Sequence, residues 1–261
     1  DDDLDALARL ATGPLPAAPG RAVPLPVELG PMVREVARAL TGQEEVWVHQ
    51  AAVLEHLGRA WRVEGGRGVG ETPTLEEEVA RSPVRTRAGA PHALLATAEA
   101  SGRSTTAMLA AVHVALDRGG STLVVVPEGT EPRAWAERFR TALERSPARW
   151  NVSVTVAGDA LATMLLGGEV PTVVVTDLTQ LDASVLADAR AEPFLERLGL
   201  VVVDDVDAHV GIAEMHLHLM MRRLWALDES RRALMEERGF PTLLLALAGP
   251  SAAPDAQASW A

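Results

Sequence analysis

The chain has 261 residues, 48% hydrophobic and 23% charged, enough apolar sequence for one large α/β domain with a well-buried core. Its formal net charge of −12 argues against non-specific nucleic-acid binding, which scales with the number of phosphates a protein neutralises. The absence of cysteine excludes disulfides and thiolate metal sites and fits a reducing compartment; with no basic-plus-apolar leader and no apolar run of bilayer length, the reading is of a cytoplasmic protein with no membrane partner.

In chain order, Asp1, Asp2, Asp3 and Asp5 flank a short acidic helix predicted over Leu4–Leu10. Pro14, Pro16, Pro19, Pro24 and Pro26 forbid regular helix between Gly13 and Pro31, so that stretch should lie extended on the surface, and residues 1–31 together read as an acidic, proline-rich N-terminal segment. Apolar residues recur at helical spacing over Met32–Leu40 and Val46–Ala60. Residues 63–90 are rich in glycine and charge and read as an insertion in a single domain spanning 32–261. From Pro91 onward the pattern is regular. Six short apolar runs, His92–Ala96, Thr122–Val126, Val152–Val156, Thr172–Val175, Leu200–Val203 and Thr242–Leu247, read as buried strands. Helical stretches at Ser104–Asp117, Arg133–Arg145, Asp159–Leu166, Ala208–Leu227 and Ser230–Arg238 separate them. That alternation predicts a parallel sheet with helices on both faces, whose ligands bind beyond the carboxyl ends of the strands. Arg103, Asp204 and the Ala248-Gly249 step all follow strands directly and should gather on that edge.

The segment Ala96-Thr97-Ala98-Glu99-Ala100-Ser101-Gly102-Arg103-Ser104-Thr105 lies between an apolar run and a helical pattern, where a phosphate-binding loop would lie. An intact loop of this kind has a lysine that reaches the β/γ-phosphates, a following Ser/Thr on Mg²⁺, and glycines that let backbone N–H groups close on the anion. Here Arg103 stands at the lysine position, and no lysine occurs anywhere in the chain. Read without other motifs, the same segment is a strand-to-helix turn capped by Ser101 and Thr105.

The order and spacing of the segments from about Pro14 to Pro254 resembles the first RecA-like domain of superfamily 2 DExH helicases. More narrowly, it is similar to the RecQ-like DNA helicases grouped with bacterial mitomycin repair factor A. Gly20-Arg21-Ala22-Val23-Pro24 and Val48-His49-Gln50-Ala51 resemble the proline-rich lead and the adenine-reading glutamine of that group, and Thr97–Ser104 its phosphate loop. Ala157-Gly158-Asp159 and Val175-Thr176-Asp177-Leu178-Thr179-Gln180-Leu181 resemble two DNA-facing motifs. Val203-Asp204-Asp205-Val206-Asp207-Ala208-His209 resembles the acidic motif, followed as in that family by a helix with Leu219, Met220, Arg222, Arg223 and Leu224.

The resemblance implies a P-loop NTPase-type, RecA-like fold and a set of sites. ATP would meet Gln50 and the loop residues Ala98, Ser101, Gly102, Arg103, Ser104 and Thr105. Mg²⁺ would sit on Ser104 and Asp204, with Asp204 and Asp205 as the catalytic pair. Nucleic acid would meet Gly158, Asp159, Thr176, Gln180, Arg222 and Arg223, although solvated helix faces are the commoner fate of such arginines.

Departures from the family pattern set the functional expectation. Asp205 replaces the glutamate that positions the attacking water, and a carboxylate displaced by about an ångström can cost on the order of a hundredfold in rate. Asp207 stands where the family has histidine, Leu247-Ala248-Gly249 where it has Ser-Ala-Thr, and Pro127-Glu128-Gly129 where it offers groups to a DNA phosphate. The guanidinium of Arg103 is too large and planar for a pocket shaped to an ammonium. These losses point to a degenerate, pseudo-helicase domain with at most weak ATP and Mg²⁺ binding, partnered by a protein or a second RecA-like domain and possibly by DNA. One alternative is a working motor half that needs that second domain. Another is a metal-dependent phosphohydrolase built on the carboxylates and His209; against it, Asp207 would cap the following helix and His209 would lie in its first turn. Met215, Met220, Met221 and the six tryptophans read as packing residues.

Overall fold

The computed structural model describes residues 21–26, 29–43, 45–63, 84–85, 92–97, 100–234 and 242–249. The acidic helix expected over Leu4–Leu10, much of the proline-rich segment, most of the 63–90 insertion and the loop residue Ala98 lie outside them.

All six expected strands form. They are β4 (Ala93–Ala96), β5 (Ser121–Val125), β6 (Val154–Val156), β7 (Val173–Thr176), β8 (Leu198–Val203) and β9 (Leu243–Ala248). They pair in parallel in the order β4-β9-β8-β5-β7-β6, with β3 (Val84–Arg85) antiparallel on the outside of β4. A parallel sheet is buried on both faces, and side chains of a strand alternate between them. Leu200 and Val202 accordingly join one core cluster while Val201 and Val203 join the other, and β9 divides Leu243, Leu245 and Leu247 from Leu244, Ala246 and Ala248 in the same way. This is the predicted RecA-like α/β architecture.

The first cluster is covered by α1 (Pro31–Thr41), α2 (Val48–Val63), α3 (Arg103–Arg118) and α4 (Pro132–Glu144). Proline at the start of α1 and α4 suits a position whose N–H has no helical partner, and Gly42 and Gly119 close α1 and α3 in the left-handed conformation. The second cluster is covered by α5 (Asp159–Leu166), the short α6 (Leu178–Gln180) running into a π-helical turn at Leu181–Leu186, α7 (Glu192–Leu195) and α8 (Ile212–Leu234).

Several expectations change. Two helices were predicted after the acidic motif, but α8 is one helix. Asp228-Glu229-Ser230 is polar without being a breaker, and Asp228 Oδ1 accepts the Thr242 hydroxyl at 2.7 Å. The start of the helix moves from Ala208 to Ile212, because Val206–Ala208 forms a separate 3-10 turn and Gly211 adopts φ +62°. In the N-terminal part, Ala22–Pro24 (β1) pairs antiparallel with Glu45–Trp47 (β2), so the helix expected from Val46 begins at Val48. Met215 is 68% exposed rather than packed, and Trp150 is 80% exposed with Arg149 over its ring.

Candidate functional site

The six parallel strands end on one edge, and the strand order sets β4, β9 and β8 side by side. The loop after β4, the step after β9 and the acidic motif after β8 therefore meet, although 96, 204 and 249 are far apart in sequence. Thr97 N–H donates to Ala248 O at 3.1 Å, which ties the first of these to the second.

The loop enters α3 through two left-handed residues, Ala100 (φ +60°) and Gly102 (φ +86°). No side chain caps α3. Ser101 Oγ pairs instead with Thr97 Oγ1, and Thr106 Oγ1 returns a bond to Gly102 O at 3.0 Å, so the capping role expected of Ser101 is not the one the fold uses. Arg103, Ser104 and Thr105 form the first turn of α3, all half-buried.

Gln50, at the start of α2, is 2% exposed. Its Nε2 donates to Gly102 O at 3.0 Å and its Oε1 accepts Trp47 N–H at 3.0 Å. A Cβ on residue 102 would lie 2.4 Å from Gln50 Nε2, so glycine is required there for its φ and for the close approach. His49 adds a second tie, Nε2 to Ser101 O at 2.9 Å, and burial lowers its pKa against the opposing effect of that bond. The glutamine that would read adenine is thus also a strut for the phosphate loop.

The acidic motif leaves β8 with Asp204 buried and Asp205 in the left-handed region at φ +43°. Asp204 Oδ2 accepts the indole N–H of Trp135 at 3.1 Å. Burial, and then the neighbouring Asp205 charge, raise the Asp204 pKa, while the Trp135 bond, Arg103 and Arg138 act the other way. Arg103 Nη1 lies 2.9 Å from Asp205 Oδ1; the pair is charge-to-charge, with angles outside those of a hydrogen bond. Asp207 does not cap α8. Both of its oxygens lie 3.2 Å from the Gly249 N–H, and a Cβ at 249 would come within 2.9 Å of Oδ2. The glycine standing at the end of the hydroxyl-less Leu247-Ala248-Gly249 element is what lets that carboxylate in. His209 precedes α8 rather than lying in its first turn. It is buried, which lowers its pKa, while the Asp204 backbone and the charges of Glu128, Asp205 and Asp207 act to raise it. Among the described residues no group of three or more His, Asp or Glu is placed to hold a metal ion.

Further along the same edge, Gly158 (φ +97°) and Gln180 come together: a Cβ on Gly158 would lie 3.3 Å from Gln180 Oε1. Asp177 caps α6 by accepting Gln180 N–H at 2.8 Å, and Gln180 Oε1 accepts the Ser184 hydroxyl at 2.7 Å. Asp159 is exposed in the first turn of α5. Thr176 is fully buried, and its hydroxyl donates to Asp177 O at 2.9 Å, so it faces inward. Arg222 and Arg223 are exposed on α8, the second paired with Asp182.

Trp135 is the residue that sequence reasoning missed. It reads as a packing tryptophan on the inner face of α4, and nothing in its neighbourhood signals that its indole reaches a carboxylate 69 residues later.

The fold defines the class: a RecA-like α/β domain. Solved structures with the same fold are those of the DUF1998 helicase MrfA bound to DNA and AMPPNP (TM-score 0.62, 14% identity, 94% of this chain and 30% of that one) and of MrfA bound to DNA (0.61, 14%, 88% and 28%). A third structure of MrfA gives 0.59 at 15% identity, over 86% of this chain and 30% of that one. The chain therefore spans less than a third of the length of the protein it is similar to. No family model and no curated protein matches the sequence.

Proposed function

We propose that this is a degenerate DExH helicase-like domain, a pseudo-helicase that works by binding within a nucleic-acid-processing complex rather than by turning over ATP. The observation that carries the reading is the Arg103–Asp205 pair at 2.9 Å. The residue at the lysine station and the residue at the glutamate station neutralise each other, so neither is free for its family role on phosphate or water. ATP would at most dock weakly near Gln50 and Gly102. The cleft edge, with Gln50, Arg103, Asp204 and Gly249, is the face that a second RecA-like domain or a protein partner would close, because superfamily 2 motors take an arginine across such a cleft. DNA contact through Gly158, Asp159, Gln180, Arg222 and Arg223 is secondary, given a net charge of −12.

A steady-state ATPase assay with single-stranded DNA tests the reading, with no DNA-stimulated turnover expected. Turnover near the enzyme median of roughly 10 per second, abolished by Asp204→Ala, would sink it. Arg103→Lys combined with Ala98→Gly and Glu99→Thr should tighten ATP binding in calorimetry; no gain would remove the nucleotide part of the proposal. The motor-half alternative is favoured by the 30% coverage of the MrfA chain, and it predicts DNA-stimulated hydrolysis once a second RecA-like domain is supplied.

A further inference from the structure

We propose that the acidic motif of this domain is closed to divalent cations by the chain's own N–H groups, and that Trp135 is the positioning residue that closes it. The inference deepens the reading of the cleft as a degenerate nucleotide site and rests on it only for the consequence drawn for ATP.

Mg²⁺ needs carboxylate oxygens in a near-ideal octahedron and retains several of its waters. The carboxylates present do not offer that. Asp204 Oδ2 is held at 3.1 Å by Trp135 Nε1, and an indole N–H is a donor only, so its positive end opposes a cation at that oxygen. The ring has no room to swing away: Trp135 is 1% exposed and packs edge-on against Phe139 at 5.8 Å. Asp205 is matched by Arg103 at 2.9 Å and Asp207 by Gly249 N–H at 3.2 Å. The three carboxylates thus meet two N–H donors, from α4 and from the end of β9, and one guanidinium charge from α3. A metal at Asp204 would have to compete with the indole at Oδ2 and approach a guanidinium that already supplies positive charge. The fold keeps the acidic sequence and satisfies it internally. Any nucleotide held by the loop consequently gains no Mg²⁺ contact from Asp204, and its affinity should not rise when Mg²⁺ is added.

The local reporter is the Trp135 indole N–H resonance, assigned from triple-resonance spectra of the ¹⁵N,¹³C-labelled protein and titrated with Mn²⁺ alone. The expected result is paramagnetic broadening no greater than that of the buried Trp61 indole. Selective loss of the Trp135 signal, prevented by Asp204→Asn, would overturn the closure. Trp135→Phe keeps the aromatic packing and removes the donor; it should make the Asp204 backbone amide broaden with Mn²⁺ where the parent does not. A folded Trp135→Phe protein whose Asp204 amide is untouched would overturn the role given to Trp135. In parallel, a fluorescent ATP analogue is titrated with Mg²⁺ and with EDTA. Equal affinities support the inference, and a tenfold tightening by Mg²⁺ overturns it. Absence of binding in both would end the nucleotide reading of the cleft, while the Mn²⁺ titration still decides whether the motif is closed.

Discussion

The two ends of the carboxyl edge are built differently. At the β4–β9–β8 end the polar contacts join residues distant in sequence: Gln50 to Gly102 across 52 positions, Trp135 to Asp204 across 69, Asp207 to Gly249 across 42. At the β7–β6 end the part-buried ones are local, Asp177 to Gln180 across 3 and Gln180 to Ser184 across 4, and the longer reach, Arg223 to Asp182 across 41, joins exposed side chains. A local turn survives single changes because its partners are held by the same short segment. A cluster assembled from four elements has charges that are matched only while the whole sheet keeps its order. The cleft end is therefore where substitutions should have large effects, and the other end where they should be mild.

Trp135→Ala should give the largest effect. Removing a fully buried tryptophan costs about 3–5 kcal/mol, and here it also strips a buried carboxylate of its donor; Trp150→Ala, at an 80% exposed position, should stay within about 0.5 kcal/mol. Urea unfolding of both variants measures the contrast, and similar midpoints would break it.

The next pair is Gly102→Ala and Gly158→Ala. Both glycines hold backbone conformations that cost an L-residue on the order of 1–3 kcal/mol. At 102 the new Cβ also meets an amide fixed at both ends, whereas at 158 it meets the side-chain oxygen of Gln180 at 3.3 Å. Gly102→Ala should be the costlier, and Gln50→Ala should recover part of the loss in a double-mutant cycle.

Carboxylates at the two ends should respond with opposite signs. Asp177→Ala removes a helix cap and should cost about 1 kcal/mol. Asp204→Asn should raise Tm near neutral pH, by about 2–4 °C for each kcal/mol gained, because it removes a buried charge beside Asp205 while an amide oxygen still accepts the indole. The folded pKa of Asp204 lies above 3.8, so its ionisation weighs against the native state at neutral pH and is relieved as pH falls through the folded value. The Asn advantage should shrink in acid; a constant advantage would contradict the raised pKa.

A smaller effect is expected from His49. Its folded pKa is depressed below 6.5 by burial, so the stability it contributes is present above 6.5 and is lost as pH falls through the folded value. Thermal melts across that range should show the loss in the parent and less of it in His49→Gln, with His209 supplying a residue of the same sign. Least of all, Arg223→Ala breaks an exposed pair with Asp182 and should change stability by less than about 1 kcal/mol. Together with Arg222→Ala it should lower the salt slope of any DNA binding, which is the one way in which the milder end would prove functional.

The amino-acid sequence by itself determined the six strands and most of the helices, because apolar runs and helical spacing are local signals that burial on both sheet faces reinforces. It also put the 97–105 loop, Asp204 and Gly249 just beyond strands, where a parallel sheet must bring such residues to one edge. It misplaced what depended on a partner elsewhere in the chain. The Asp228-Glu229-Ser230 run looks like a helix end until Thr242 is seen bonded to Asp228, and Asp207 looks like a helix cap until Gly249 offers a closer donor. Tertiary structure alone decided which donor each carboxylate received. A lone acidic motif is compatible with a metal, a cap or an ion pair, and only the seating of α4 on β6 and β7 turned Trp135 toward Asp204 while the strand order put Arg103 within reach of Asp205.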